Sequence, residues 1–455
     1  MSNGTHLVII GGGPAGNSAA TWAARFGAQV TLVEREIVGG AAHLLDCIPS
    51  KAMIATGGAM SATKRFAGMG IEQHDVEIDV DSIAERISGI VGRIQSTTTE
   101  LLQSQGVTIL RGEARFVSDR EVVVTSAEGE ARIEGDAFLV ATGSRPRIPT
   151  WCSPDGERIL TTRDCYPPKV FPKSIVVVGS GVTGVEFVHM FSSFGSEVSL
   201  VVSRQQVLPG KDAEAAAALE DRFLARGVKL LKGARAQSIE HEGDEVVVRC
   251  DDGRVARGTH AVLAIGSDAN VEGIGLDDAG VKLDERGYIG VDAYCRTNVP
   301  HIYAAGDVSG KLPLSSVASM QGRKIAEHVM GMLRVDHRVL DYDKAASAIF
   351  TQPEIADVGL AEAEAFSSGR KIRVTKVPFS STPKALIHND PHGFVKLISD
   401  PNTGVVLGGT IVGRHAGELI SVVALAVTAN LKVSDILESL LVHPSLAEAL
   451  TEAAE

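Results

Sequence analysis

The chain has 455 residues, 44% of them hydrophobic, which is enough for about three domains. Its formal net charge of −12 excludes a nucleic-acid-binding role and docking on an anionic membrane surface. The five cysteines, at 47, 152, 165, 250 and 295, are odd in number and form no CxxC pair, so neither a disulfide framework nor a zinc site is expected. A reducing compartment fits this usage. No apolar run reaches the roughly 18 residues of a membrane helix. The first residues, MSNGTH, lead straight into a strand without a basic signal region. A cytoplasmic protein without a bound metal is expected.

The first element is an apolar strand ending in a glycine turn, HLVIIGGGPAG (6–16). It recurs 168 residues later as SIVVVGSGVTG (174–184). At the same displacement FGAQVTLVERE (26–36) matches FGSEVSLVVSR (194–204). Each copy reads strand, glycine turn, helix, strand, the βαβ unit that binds dinucleotides. Gly11 and Gly179 permit the tight turn. Gly13 and Gly181 let backbone approach a pyrophosphate, and Gly16 and Gly184 let helix and strand pack closely. Pro14, Ala15 and Thr183 open the two helices, whose free N–H groups suit phosphate. One GxGxxG alone is weak evidence. Two copies matching beyond the motif imply two dinucleotides, a tightly held flavin and an exchanging nicotinamide nucleotide.

The ends of the second strands differ. Glu34, followed by Arg35, offers a carboxylate to an unphosphorylated ribose, so the first site is expected to take FAD. The equivalent of Glu34 is Val202, followed by Ser203 and Arg204. These residues suit a 2′-phosphate, so the second site is expected to accept NADPH, with use of NADH left open. Further along, GEARF (112–116) carries Ala114, and LVATGSRP (139–146) carries Ala141, Thr142 and Gly143. LAIGS (263–267) supplies Gly266 to the second site, and HIYAAGDV (301–308) supplies Gly306 and Asp307 to the first. An Asp at a strand end can bond sugar-like hydroxyls. From about residue 341 nucleotide motifs stop. Strand-like GFVKLISD and GVVLGGTIVG precede an apolar helical stretch, ELISVVALAVTANL (418–431), a candidate interface face.

Together, GGGPAG, GG…CIPSK, ATGSRP, GSGVTGVEF, AAGDV, FTQPEIADVGL and HPSLAE resemble the flavoprotein disulfide reductase family, which includes lipoamide dehydrogenase and glutathione reductase. The resemblance spans essentially the whole chain. It implies an α/β protein with two Rossmann-like dinucleotide-binding domains plus a C-terminal α+β dimerisation domain, in a homodimer. The expected division is 1–148 and 269–340 for FAD, 149–268 for NAD(P)H, and 341–455 for the interface. The resemblance places Gly40 and Ala41 at the flavin, and Lys51 near its N5, paired with Glu186. A cation there favours the reduced, anionic flavin. It assigns His443 and Glu448 to an acid–base pair that reaches the partner's active site.

In relatives the loop before Lys51 carries two cysteines. Here it reads GGAAHLLDCIPSK, with Ala42 at the outer position and Cys47 at the flavin side. Thiol–disulfide exchange needs an attacking and a resolving thiol, so reduction of lipoamide, glutathione or mercuric ion is not expected. This loop resembles that of the lipoamide-dehydrogenase-like NAD(P)H:quinone reductases that lack the first redox cysteine. The expected activity is ping-pong: NADPH reduces FAD, then a quinone takes two electrons. Cys47, read as lying near a helix N-terminus and partly thiolate, would tune the flavin. His43 is read as a packing residue. The alternatives are a soluble pyridine-nucleotide transhydrogenase, a single-cysteine NAD(P)H oxidase or peroxidase, and a non-enzymatic FAD-binding scaffold.

Overall fold

The computed structural model describes residues 4–63, 69–71, 76–332 and 339–455. By contacts the chain divides into two compact units. The first comprises Met1–Ser50, Ser82–Pro146 and Ser267–Tyr342, the second Lys51–Asp81, Arg147–Gly266 and Asp343–Glu455.

The first unit is built on a five-stranded parallel sheet. Its order is Ile302–Ala304, Ala137–Val140, His6–Ile10, Gln29–Glu34, Thr108–Arg111. The central strands are apolar on both faces because both are covered, as a parallel sheet requires. Leu7, Val8, Ile9, Phe138, Leu139 and Val140 have no exposed surface. On one face the helices Pro14–Arg25 and Ser315–Val329 lie almost backbone to backbone: a Cβ at Gly322 would fall 2.1 Å from the Ala15 carbonyl oxygen. On the other, Phe116 of an antiparallel three-stranded sheet packs edge-on against Phe138, with centroids 5.3 Å apart.

The second unit repeats the plan. Its parallel sheet runs Lys229–Lys232, Glu197–Val202, Ser174–Val178, His260–Leu263, Ile159–Leu160. The strand, helix and strand His6–Ile10, Pro14–Arg25 and Gln29–Glu34 reappear as Ser174–Val178, Val182–Ser193 and Glu197–Val202, every boundary shifted by 168 residues. The repeat read from sequence is therefore a repeat of backbone.

The same unit holds a five-stranded antiparallel sheet, ordered Ser347–Ile349, Glu354–Gly359, Val406–Gly413, Phe394–Ser399, Arg373–Pro378. Helix Ala416–Ala429 buries Ile420, Val423, Ala426 and Val427 against it. The apolar stretch read as an interface face thus spends most of its apolar surface on its own core, since a 3.6-residue period brings those four to one side. Leu425 points away and is 64% exposed. This α/β architecture with a C-terminal α+β layer is the fold class expected from the motifs. Among the described residues, no helix is long and apolar enough to cross a membrane.

Candidate active site

The first glycine turn is shaped by close backbone contacts. Gly11 has φ +108°, and a Cβ there would lie 2.2 Å from the Ala141 carbonyl oxygen. A Cβ at Gly16 would lie 2.0 Å from the Gly11 oxygen. Gly13 is extended, Pro14 occupies the first helical position, and the helix opens with no side chain capping its N–H groups. Gly40, at φ +88°, lies over Gly13: a Cβ at Gly40 would be 2.6 Å from the Gly13 Cα. Ala41 begins the following helical stretch.

Glu34 ends its strand 8% exposed. One carboxylate oxygen accepts the Gly12 N–H at 2.6 Å and the other the Glu36 N–H at 2.7 Å. Each oxygen keeps acceptor capacity for a ribose hydroxyl. Asn17, one turn into the helix, has a buried side-chain oxygen with no hydrogen-bond partner among the described residues. Arg35 lies 3.9 Å from Glu113 at the surface, while neighbouring Ala114 packs into the core. Thr142 and Asn270 bond reciprocally, Thr142 Oγ1 to the Asn270 carbonyl at 2.7 Å and Asn270 Nδ2 to the Thr142 carbonyl at 2.9 Å. Gly143 follows at φ +69°. Ser144 Oγ donates to Asp307 at 2.6 Å, and the Gly306 N–H donates to buried Gln321 at 2.7 Å. A glycine turn no side chain could enter, an uncapped helix start, a buried carboxylate and an orphaned amide oxygen fit a bound dinucleotide.

The second turn repeats this geometry. Gly179 has φ +112°, with a Cβ 2.3 Å from the Ala264 oxygen, and a Cβ at Gly184 would lie 1.9 Å from the Gly179 oxygen. A Cβ at Gly181, by contrast, would meet nothing within 4 Å among the described residues. Val202 is fully buried, whereas Ser203 and Arg204 are exposed beyond it. Gly266, at φ +98°, accepts the Arg147 N–H at 3.0 Å.

Lys51 and Glu186 come together within the second unit. Lys51 Nζ donates to Glu186 Oε2 at 2.8 Å and lies 5.4 Å from the centroid of the Phe350 ring. Glu186 is 5% exposed, and its Oε1 accepts the Phe350 N–H at 3.0 Å. A buried carboxylate needs such partners to remain charged. Phe350 escaped the sequence reading, because a backbone donor 164 residues away leaves no residue-type signal.

The loop ahead of Lys51 is helical in an unusual way. Ala42–Cys47 is π-helical, with helical dihedrals at both flanks, and Ile48–Thr63 continues as α-helix. Cys47 therefore lies inside a helical run that starts near Ala41, not at its N-terminus. The proposed dipole effect on its thiol is corrected accordingly, since that effect fades beyond the first turn. Ala42 is exposed and His43 half-buried; burial pushes the His43 imidazole below its ordinary range, against a hydrogen bond to the Gly39 backbone. The cysteines at 152, 165, 250 and 295 are all buried.

His443 Nδ1 and Glu448 Oε1 are 2.6 Å apart, and Glu448 Oε2 accepts the Ser445 N–H at 2.8 Å. The bond to His443, then that to Ser445, holds the Glu448 carboxyl below the usual carboxylate range. The pair fixes the imidazole with its Nε2 directed away from the carboxylate. Among the described residues, no group of three or more His, Cys, Asp or Glu is placed to hold a metal.

Residues 5–322 match the pyridine nucleotide-disulphide oxidoreductase domain, and residues 345–454 match that family's dimerisation domain. The chain is 40% identical to an NAD(P)H dehydrogenase (quinone) of Mycobacterium tuberculosis, covering 99% of this chain and 93% of the relative. It is 35% identical to a dihydrolipoyl dehydrogenase of Zymomonas mobilis, covering 99% and 97%. The crystal structure of LpdA from Mycobacterium tuberculosis superposes with a TM-score of 0.94 at 39% identity, covering 99% of both chains. The Escherichia coli flavoprotein disulfide reductase RclA gives 0.88 at 25%, again covering 99% of both. The matched dimerisation domain supports a homodimer. This chain belongs to the pyridine nucleotide-disulphide oxidoreductase family, the flavoprotein disulfide reductases, whose members work with FAD and NAD(P)H.

Proposed function

We propose that the protein is an FAD-dependent NAD(P)H:quinone oxidoreductase that works without a redox-active disulfide. The observation that carries this reading is a retained Lys51–Glu186 pair behind a loop in which position 42 is alanine. The 40% identity to a relative named for quinone reduction supports it. When bound, FAD would supply the hydride-accepting and two-electron-donating chemistry that links the nicotinamide to the acceptor.

The chain's own residues supply the rest. Gly11, Gly13 and Gly16, with the open helix start and Glu34, hold the first nucleotide. Thr142, Gly143, Gly306 and Asp307 serve the same nucleotide. Gly179, Gly181, Gly184 and Thr183 hold the second, and Ser203 and Arg204 favour a 2′-phosphate, hence NADPH over NADH. The Lys51 ammonium, kept in place by Glu186, stabilises negative charge during reduction. Cys47 tunes the same environment without carrying electrons. His443, oriented by Glu448, delivers a proton to the reduced acceptor of the partner subunit's site. Residues 1–148 with 269–340, 149–268 and 341–455 serve as the FAD, NAD(P)H and interface domains.

The test is an acceptor panel with purified enzyme and NADPH: menadione, a benzoquinone, lipoamide, thio-NAD, oxygen and peroxide. Quinone reduction well above all others is expected. A normal rate with lipoamide overturns the loop argument, and dominant turnover with thio-NAD assigns the chain to transhydrogenation instead. Cys47→Ala is expected to alter rate and spectrum while turnover persists.

A further inference from the structure

The Glu186 carboxylate is presented by two backbone segments, and both are gripped by one guanidinium. Glu186, His189 and Ser193 stand at i, i+3 and i+7 of the helix Val182–Ser193, on one buried face. Arg226, just past the helix Ala213–Ala225, reaches into that face. Its Nη1 donates to His189 Nδ1 at 2.9 Å and to Ser193 Oγ at 3.2 Å. Its Nη2 donates to Gln352 Oε1 at 3.0 Å. Gln352 lies two residues past Phe350, whose N–H holds Glu186 Oε1.

The helix that carries Lys51 docks on the same face. Ser61 Oγ donates to Ser193 Oγ at 3.2 Å, and a Cβ at Gly57 would lie 3.1 Å from the Ser193 Cβ. Both partners of the ion pair are thus mounted on elements that meet at Ser193, which Arg226 also holds. Because Arg226 donates to Nδ1, His189 is neutral and its remaining proton sits on Nε2. Burial, reinforced by Arg226 and Arg222, pushes His189 down to about 3. A planar fork that bonds two elements at once is a task for arginine; a lysine ammonium has one head and no fixed plane.

We propose that Arg226 is a positioning residue for the Lys51–Glu186 pair, acting through His189, Ser193 and Gln352. This rests on the reading of that pair as the one that serves the flavin.

The experiment uses the FAD-loaded enzyme and measures the rate of flavin reduction by NADPH and the flavin midpoint potential. The variants are Arg226→Met, Arg226→Lys, Glu186→Ala and the double variant Arg226→Met with Glu186→Ala. Arg226→Met is expected to slow flavin reduction about tenfold and to move the potential in the direction Glu186→Ala moves it. Arg226→Lys recovers part of both. In the Glu186→Ala background the Arg226 change adds nothing, because its effect runs through Glu186. Wild-type rate and potential in Arg226→Met overturn the proposal, as do effects that multiply in full in the double variant. Should Arg226→Met fail to hold FAD, Gln352→Leu removes one arm alone. It then has to slow reduction while keeping wild-type FAD content, and an unchanged rate counts against the proposal. If Glu186→Ala itself leaves rate and potential unchanged, the reading of the ion pair fails instead, which is a separable result.

Discussion

Lys51 Nζ stands 2.8 Å from Glu186 Oε2, and the Phe350 N–H takes the other carboxylate oxygen at 3.0 Å. The carboxylate is buried while the lysine side chain is 30% exposed. Removing the lysine therefore strands a negative charge. Lys51→Met is expected to cost about 1–3 kcal/mol of stability and to slow flavin reduction by at least about tenfold. Urea unfolding and stopped-flow absorbance measure the two effects separately.

Arg204 and Ser203 lie exposed beyond buried Val202, and among the described residues the Arg204 side chain makes no ion pair. A charge-assisted hydrogen bond to a phosphate contributes about 1.5–3 kcal/mol. Arg204→Ala is expected to raise KM for NADPH by about tenfold or more and to leave KM for NADH nearly unchanged. Equal loss with both nucleotides counts against the 2′-phosphate assignment.

A π-helix closes its turns with i to i+5 hydrogen bonds, so residues 42 and 47 face each other one turn apart. That is close to disulfide reach. Ala42→Cys is expected to form a disulfide with Cys47 on mild oxidation. Titration of thiols in denaturant would then show two fewer than after reduction. Activity with dihydrolipoamide is expected to be higher than in the parent.

His189 is 1% exposed and neutral, lowered to about 3 by burial and by Arg226 and Arg222. In the unfolded chain it titrates near its ordinary value of about 6.5. Below that value the unfolded state binds a proton that the folded state refuses. Stability from this group is complete above about pH 6.5 and falls as pH drops toward 3, by about 1.4 kcal/mol per pH unit. His189→Asn, which keeps an acceptor for Arg226, is expected to flatten that acid slope between pH 6.5 and 5 in urea titrations.

Leu440 and Val442 are 102% and 74% exposed, beside His443 in the matched dimerisation domain. Apolar side chains this bare on one subunit suit burial against a second copy. Leu440→Asp with Val442→Asp is expected to yield monomers in sedimentation velocity and, on the role proposed for His443 in the partner's site, to lower quinone turnover with little change in flavin reduction.

The sequence exposed what depends on local spacing. The turns at Gly11 and Gly179 were legible because each is specified within six residues and stated twice. The pairing of His443 with Glu448 was legible through a resemblance, and the structure brings the two within 2.6 Å. What stayed hidden depends on distant backbone. Phe350 serves Glu186 by its N–H, which any residue but proline possesses. Arg226 reads as an ordinary charge after a helix until the fold brings it to His189. The π-helical turn has no composition of its own, so Cys47 could be read as lying at a helix start.

The two glycine turns are almost superimposable in backbone, so the turn itself cannot decide how long a nucleotide stays. The difference lies in the cover: Gly13 has Gly40 lying over it, and a Cβ at Gly181 would meet nothing within 4 Å among the described residues. On the proposed assignment the resident cofactor sits under the covered copy and the visiting one before the open copy, so two copies of one binding turn would give a fixed part and a replaceable part in a single chain.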